Sequence, residues 1–194
     1  MKLSVITPTA DRPEAFALCE RWIARQTRPP DEWVVIDDGA TPIAPTLGQV
    51  HVRRDPGAPG HESFARNLQA GVDLVTGDVV AIIEDDDYYQ PWHLADLVER
   101  LGQAALAGSI WQPYYNLRRR LWKIFENRGA SLCQTGLRRE LLPLLTAAIE
   151  KALASKSYGI DGALWASALE AGERVDNPDT FPTIGIKGLS LIHI

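Results

Sequence analysis

Val79-Val80-Ala81-Ile82-Ile83-Glu84-Asp85-Asp86-Asp87 joins five apolar residues to four carboxylates with no spacer between them. The apolar half has the length and composition of a strand covered on both faces, the habit of parallel sheets flanked by helices. Working toward the N-terminus, the same pattern recurs twice. Leu3 to Ile6 stops at Thr7-Pro8-Thr9, and Trp33-Val34-Val35-Ile36 stops at Asp37-Asp38-Gly39. Between those runs, Asp11 and Pro13 suit a helix start, and Phe16, Cys19 and Ile23 recur as one buried stripe. Arg28-Pro29-Pro30 ends that helix. The Pro- and Gly-rich segment 40–60 holds a short strand at Val50-His51-Val52, and a helix with Phe64, Leu68 and Val72 on one face follows it.

Toward the C-terminus, Pro91 opens a helix whose core stripe is Leu94, Leu97, Val98 and Leu101. Residues 110–131 read as short strands and loop. Leu141, Leu142, Leu145, Ile149 and Leu153 mark another helix, and Asp161 begins a last one that stops at Ala171-Gly172. This alternation predicts a single Rossmann-like α/β domain over residues 1–188, with a mostly parallel central sheet flanked by helices and right-handed crossovers.

The 194 residues are 45% hydrophobic and 23% charged, an ordinary globular balance that excludes a disordered chain. Twenty Lys and Arg against 25 Asp and Glu give a net charge of -5, which argues against nucleic acid as a partner held by bulk charge. Cys19 and Cys133 lie far apart, with neither disulfide-framework nor zinc-site spacing, and His51, His61 and His93 show no metal-ligand spacing. The N-terminal apolar run is too short for a signal peptide, and no transmembrane segment is expected. The expected location is cytoplasmic or peripheral at a membrane surface. Arg118-Arg119-Arg120 reads as a solvated strand face, and Trp92 and Trp111 suit either packing or an acceptor sugar.

Ligands of open α/β sheets bind outside the carboxyl ends of the strands, where both acidic clusters fall. In an extended segment Asp85 and Asp87 share a face and Asp86 points away. Hard carboxylate oxygens favour Mg²⁺ or Mn²⁺, ions that commonly bridge to phosphate. The competing reading is an acidic turn capping the next helix.

Five pieces in order resemble the inverting nucleotide-sugar glycosyltransferases of family 2, which have the glycosyltransferase A fold. Val5-Ile6-Thr7-Pro8-Thr9 with Arg12-Pro13 is similar to the family's nucleotide-contacting first loop. Trp33 to Gly39 is similar to its second strand, whose acidic residue reads the base or ribose. Gly60 with Ala65-Arg66-Asn67 resembles a helix near the diphosphate, and Ile82 to Asp87 with Tyr89 and Pro91 resembles the metal-binding Asp-x-Asp motif. Tyr158-Gly159-Ile160-Asp161, followed by Leu164-Trp165, is similar to the segment that carries the catalytic base, although Ile160 replaces the usual Glu.

The resemblance implies transfer of a sugar from a nucleoside-diphosphate sugar, a UDP-sugar by preference, to a hydroxyl of a sugar, lipid-linked or protein acceptor. It implies donor contacts at Thr7, Pro8, Thr9, Arg12, Asp37, Asp38, Arg66, Asp85 and Asp86. Asp85 and Asp87 would hold Mn²⁺ or Mg²⁺, and Asp161 would be the catalytic base. Donor binding falls to about residues 1–100 and acceptor binding and catalysis to 101–188. Arg66 read alone is equally a surface arginine, and Asp161 read alone is an N-cap.

Residues 189–194, Leu-Ser-Leu-Ile-His-Ile, read as a non-native tail that resembles a translated sequencing adapter. On that reading the natural chain is cut short after residue 188 and lacks a further metal-binding histidine that the family supplies. The rival functions are a sugar nucleotidyltransferase and a non-catalytic nucleotide-sugar-binding relic. The nucleotidyltransferase calls for a Gly-rich phosphate loop, and Thr9-Ala10-Asp11-Arg12-Pro13 has no glycine. A receiver-type signalling domain fails because the first strand does not end in an acidic pair.

Overall fold

A computed structural model of the chain describes residues 1–57 and 60–187. The reading of 189–194 as a foreign tail lies outside the described residues.

The three apolar runs become β1 (Leu3–Thr9), β2 (Glu32–Asp37) and β4 (Val79–Ile82), with β3 (Val50–Arg53) beside β2. These four strands are parallel, with Val5 level with Trp33 on one side and Ala81 on the other. Alternate side chains feed two separate cores. Ile6, Val34, Ile36 and Ile82 pack against α2 (His61–Val72), α4 (Leu142–Ser155) and α5 (Ile160–Glu170). Val5, Val35 and Ala81 pack against α1 (Pro13–Ala24) and α3 (His93–Leu101). Both faces are covered, which is why these strands carry no polar alternation.

The full sheet has seven strands in the order β10-β6-β9-β4-β1-β2-β3, with β6 at Leu106–Ala107, β9 at Gly136–Arg138 and β10 at Val175–Asp176. Strand β9 runs antiparallel between β4 and β6, a reversal that the apolar runs did not announce.

A second sheet of four strands, β5-β11-β7-β8, joins distant segments: β5 (Asp87–Tyr89), β7 (Trp111–Asn116), β8 (Leu121–Glu126) and β11 (Thr183–Lys187). The segment 110–131, expected as short strands and loop, is the β7–β8 hairpin, in which Asn116 pairs with Leu121. Gly185 at the centre of β11 has a physical reason. A Cβ there would stand 2.3 Å from the Tyr114 ring, so only glycine lets β11 lie under that side chain.

Candidate active site

The acidic run sits where the chain passes from one sheet to the other. Strand β4 ends at Ile82, Asp85 and Asp86 form a turn, and Asp87 opens β5 in the second sheet. Asp85 and Asp87 line one apolar hollow together, as alternation predicts, although Asp86 at the turn borders that hollow as well. Asp86, with Glu84, faces a cleft of about 460 Å³ that Thr9, Arg12, Asp161 and Lys187 also line. All three aspartates are buried.

Arg12, just before Pro13 opens α1, bridges two of them. Its guanidinium lies 2.7 Å from Asp85 and 3.1 Å from Asp86. Thr9 Oγ1 donates to Asp85 at 2.5 Å, and the Ile186 N–H donates to Asp87 at 3.0 Å.

Burial, followed by the neighbouring carboxylates, pushes Glu84 up to about 8 and Asp87 to about 6, and burial pushes Asp85 to about 7 against the opposing charge of Arg12. Burial works against the charges of Arg12 and Lys187, yet the surrounding carboxylates raise both. Four carboxylates crowd against two cations, and the raised pKa values show that the cluster resists full ionisation unless further positive charge arrives. Among the described residues no three His, Cys, Asp or Glu side chains converge as a ready-made metal cage. Glu84 and Asp86 nevertheless present hard carboxylate oxygens to the cleft, a donor type that fits a divalent ion able to take further ligands from elsewhere.

Asp161 lies across the same cleft. Gly159, not Asp161, is the N-cap of α5, so the N-cap reading of Asp161 is corrected. Asp161 is the second helical residue, and its Oδ1 accepts the N–H of Gly162 at 2.7 Å. Burial raises its pKa. Gly60 faces Tyr158 beside it and holds a φ of +123°, a conformation open to glycine alone at little cost.

The remaining expected donor contacts are placed as follows. Pro8 lines the cleft beside Thr9, but Thr7, Asp37, Asp38 and Arg66 do not. Thr7 is buried and accepts from Trp33 Nε1 at 2.9 Å. Asp37 accepts from the N–H groups of Gly39 and Ile43 at 2.9 and 3.0 Å, and pairs with Arg53 at 2.6 Å. Burial opposes its charge, but these donors hold its pKa below the ordinary value. Asp38 accepts from Ser63 and Asn67, which ties the second strand to α2. Arg66 is exposed and pairs with Glu62 one helical turn away.

Lys187 went unnoticed in the sequence, as did Tyr114, over which it lies at 4.8 Å. The alternation Thr183-Ile184-Gly185-Ile186-Lys187 was a legible strand signal that placed Lys187 opposite the two isoleucines. Those isoleucines instead face an apolar hollow of about 350 Å³, shared with Trp22, Tyr88, Tyr115 and Leu117 and closed on one side by the three aspartates. Trp92 and Trp111 line neither space.

The family model for glycosyl transferase family 2 matches residues 4–153. An uncharacterised glycosyltransferase of Bacillus subtilis, YwdF, is 27% identical over 112 residues, which is 54% of this chain and 40% of that protein. The chain therefore spans less than half the length of that relative. Among solved structures, a Pyrobaculum calidifontis mannosyltransferase in complex with GDP-Man and Mn²⁺ matches at TM-score 0.66 and 17% identity. That match covers 98% of this chain and 58% of the mannosyltransferase. Staphylococcus aureus TarS matches at 0.60 and 15%, over 96% of this chain and 60% of TarS 1–349. A Thermus thermophilus 2-C-methyl-D-erythritol 4-phosphate cytidylyltransferase matches at 0.57 and 16%, over 92% and 89%. At these identities the three structures establish the fold alone, and that fold is the glycosyltransferase A type. Its match to the model over most of the chain makes this protein a member of glycosyl transferase family 2.

Proposed function

We propose that the cleft binds a nucleoside-diphosphate sugar and passes its sugar to an acceptor hydroxyl, with inversion at the anomeric carbon. The observation that carries this reading is the convergence of Arg12, Lys187, Glu84 and Asp86 with Asp161 around one cavity. The two cations suit a diphosphate, for which Arg12 offers a planar donor fork and Lys187 a point charge. Glu84 and Asp86, which line the cleft, would hold a Mn²⁺ or Mg²⁺ ion there. Asp85 and Asp87, the pair singled out by alternation, add charge to the same site. When bound, the divalent ion supplies Lewis-acid stabilisation of the departing diphosphate.

Asp161 takes the proton of the acceptor hydroxyl. Its raised pKa makes it a stronger base than an exposed aspartate, and the helix it helps to open fixes its direction. In the balanced step the acceptor oxygen bonds to the anomeric carbon as the bond from that carbon to the phosphate oxygen breaks. The proton goes to Asp161 and the nucleoside diphosphate departs. One displacement inverts the centre.

Asp38 then acts on donor binding by holding Ser63 and Asn67, which line the cleft, while Thr7 and Asp37 brace the strands behind it and Arg66 stays on the outer face of α2. A cytidylyltransferase-like reading finds no glycine in the loop from Thr9 to Pro13.

The test is release of nucleoside diphosphate from UDP-sugars and from GDP-mannose, with and without Mn²⁺, with the product anomer read by NMR. Cation-dependent release with an inverted product supports the reading. Release of pyrophosphate from a nucleoside triphosphate and a sugar phosphate would replace it with nucleotidyl transfer.

A further inference from the structure

The β7–β8 hairpin projects a surface that the proposed chemistry does not use. Every residue of β8 is exposed, and β8 is the edge of its sheet. At the turn end Trp122 is 70% and Leu121 64% exposed, with Leu117 beside them at 41%. Soluble surfaces seldom gather large apolar side chains in this way without a partner. The same turn carries Arg118, Arg119 and Arg120, and Lys123 follows; among the described residues none of the four enters an ion pair. No acidic residue lies between Asn116 and Phe125, in a chain whose net charge is -5. The positive charge is therefore local to the tip.

We infer that the hairpin tip docks on an anionic lipid bilayer surface. Tryptophan and leucine enter the boundary between headgroups and acyl chains, while arginines stay at headgroup level beside anionic phosphates. A nucleic acid would use the arginines but leave Leu117 and Leu121 without purpose. The hairpin is also tied to the cleft. The Leu117 N–H donates to the Lys187 carbonyl at 3.0 Å, and Leu117 closes one end of the apolar hollow behind the aspartates. Docking by the tip would bring the cleft close to the membrane plane. This inference stands independently of the transferase reading.

The experiment is co-sedimentation of the whole chain with phosphatidylcholine vesicles, pure or holding about one-third phosphatidylglycerol. An arginine near an anionic surface is worth about fivefold in partitioning. The triple variant R118S/R119S/R120S is thus expected to bind the anionic vesicles at least tenfold more weakly, as is the wild type in about 0.5 M salt. Trp122→Ser should weaken binding at both salt concentrations, and far-UV circular dichroism checks that each variant is folded. Equal binding to both vesicle types, no binding by the wild type, or full binding by the triple variant would overturn the inference. So would a lipid-free dimer that Trp122→Ser dissociates, because the apolar tip would then be covered by a second copy.

Discussion

In the seven-stranded sheet, β1, β2 and β4 are buried along nearly their whole length, whereas in the four-stranded sheet β8 leaves all six residues exposed. The two sheets meet at Glu84–Asp87, so one side of the candidate site is rigid and core-bound and the other is a thin, open wall. The difference separates two tasks. The large sheet fixes where the carboxylates emerge, and the small sheet brings Lys187 and Tyr114 to face them. Rigid placement of charge is what electrostatic stabilisation of a leaving group requires, since no reorganisation is then needed during reaction. A half-exposed wall is free to meet other surfaces.

The largest expected effect falls within the cleft. Asp161→Asn should lower sugar transfer by about 10²–10⁴-fold, the usual contribution of a general base, with donor affinity unchanged. Asn retains an oxygen to accept the Gly162 N–H, so helix α5 is spared. Steady-state rates and calorimetry on the same sample check this. Near wild-type turnover would remove Asp161 from the chemistry.

Next is the contrast in stability between the sheets. Ile82→Ala, in the two-sided core, should cost about 2–5 kcal/mol in denaturant unfolding. Ile124→Ala on β8 should stay within about 0.5 kcal/mol. Similar costs at both sites would erase the distinction between a packed sheet and an open one.

The pH dependence is smaller and concerns the junction. The folded pKa values of Glu84, Asp85 and Asp87 lie above their ordinary values. Between those two ranges the folded chain holds more protons than the unfolded chain, so stability is lost as pH rises. Without divalent ions, Tm should be lower near pH 8 than near pH 5.5, by on the order of 5 °C. Mn²⁺ should restore most of the difference at the higher pH. The lowered groups Asp31, Glu32 and Asp37 act only below the ordinary carboxylate range, outside this window. Buried His93, held down to about 3 from 6.5, offsets part of the loss because its unfolded form binds a proton near pH 5.5. A profile that stays flat in a His93→Gln background as well would show that Arg12 and Lys187 already balance the cluster.

Legibility in the sequence follows the same division. Strands with both faces covered announce themselves as apolar runs, so Leu3–Ile6, Trp33–Ile36 and Val79–Ile83 were readable, as were the amphipathic helices between them. The second sheet was not, because its strands mix aromatic, polar and glycine residues and pair across almost a hundred positions, as Asp87 does with Gly185. The site was legible where it follows directly from a strand end, at Thr9, Arg12 and the acidic run, whereas Asp161, at the start of α5, was reached only through the family resemblance. The alternation from Thr183 to Lys187 marks a strand, but its pairing with β5 and β7, which brings Lys187 to the site, is long-range and leaves no local pattern. Alternation grouped Asp85 with Asp87 but could not show that Glu84 and Asp86 are the pair facing the cleft, and the intrachain bonds of Asp37 and Asp38 cannot be seen from spacing.

The smallest expected effect tests one motif-based role. Arg66→Ala removes an exposed pair with Glu62 and should change stability by no more than about 0.5 kcal/mol. Donor affinity should also hold. A tenfold loss of nucleotide binding would mean that the guanidinium swings into the cleft to hold the diphosphate.

The most direct test of the junction as the donor site is calorimetric titration of UDP and GDP into the wild type and Asp86→Ala, with and without Mn²⁺. The expected result is nucleotide binding that requires Mn²⁺ in the wild type and is at least tenfold weaker in Asp86→Ala. The contradicting result is equal affinity in both proteins, or binding by the wild type that is indifferent to Mn²⁺.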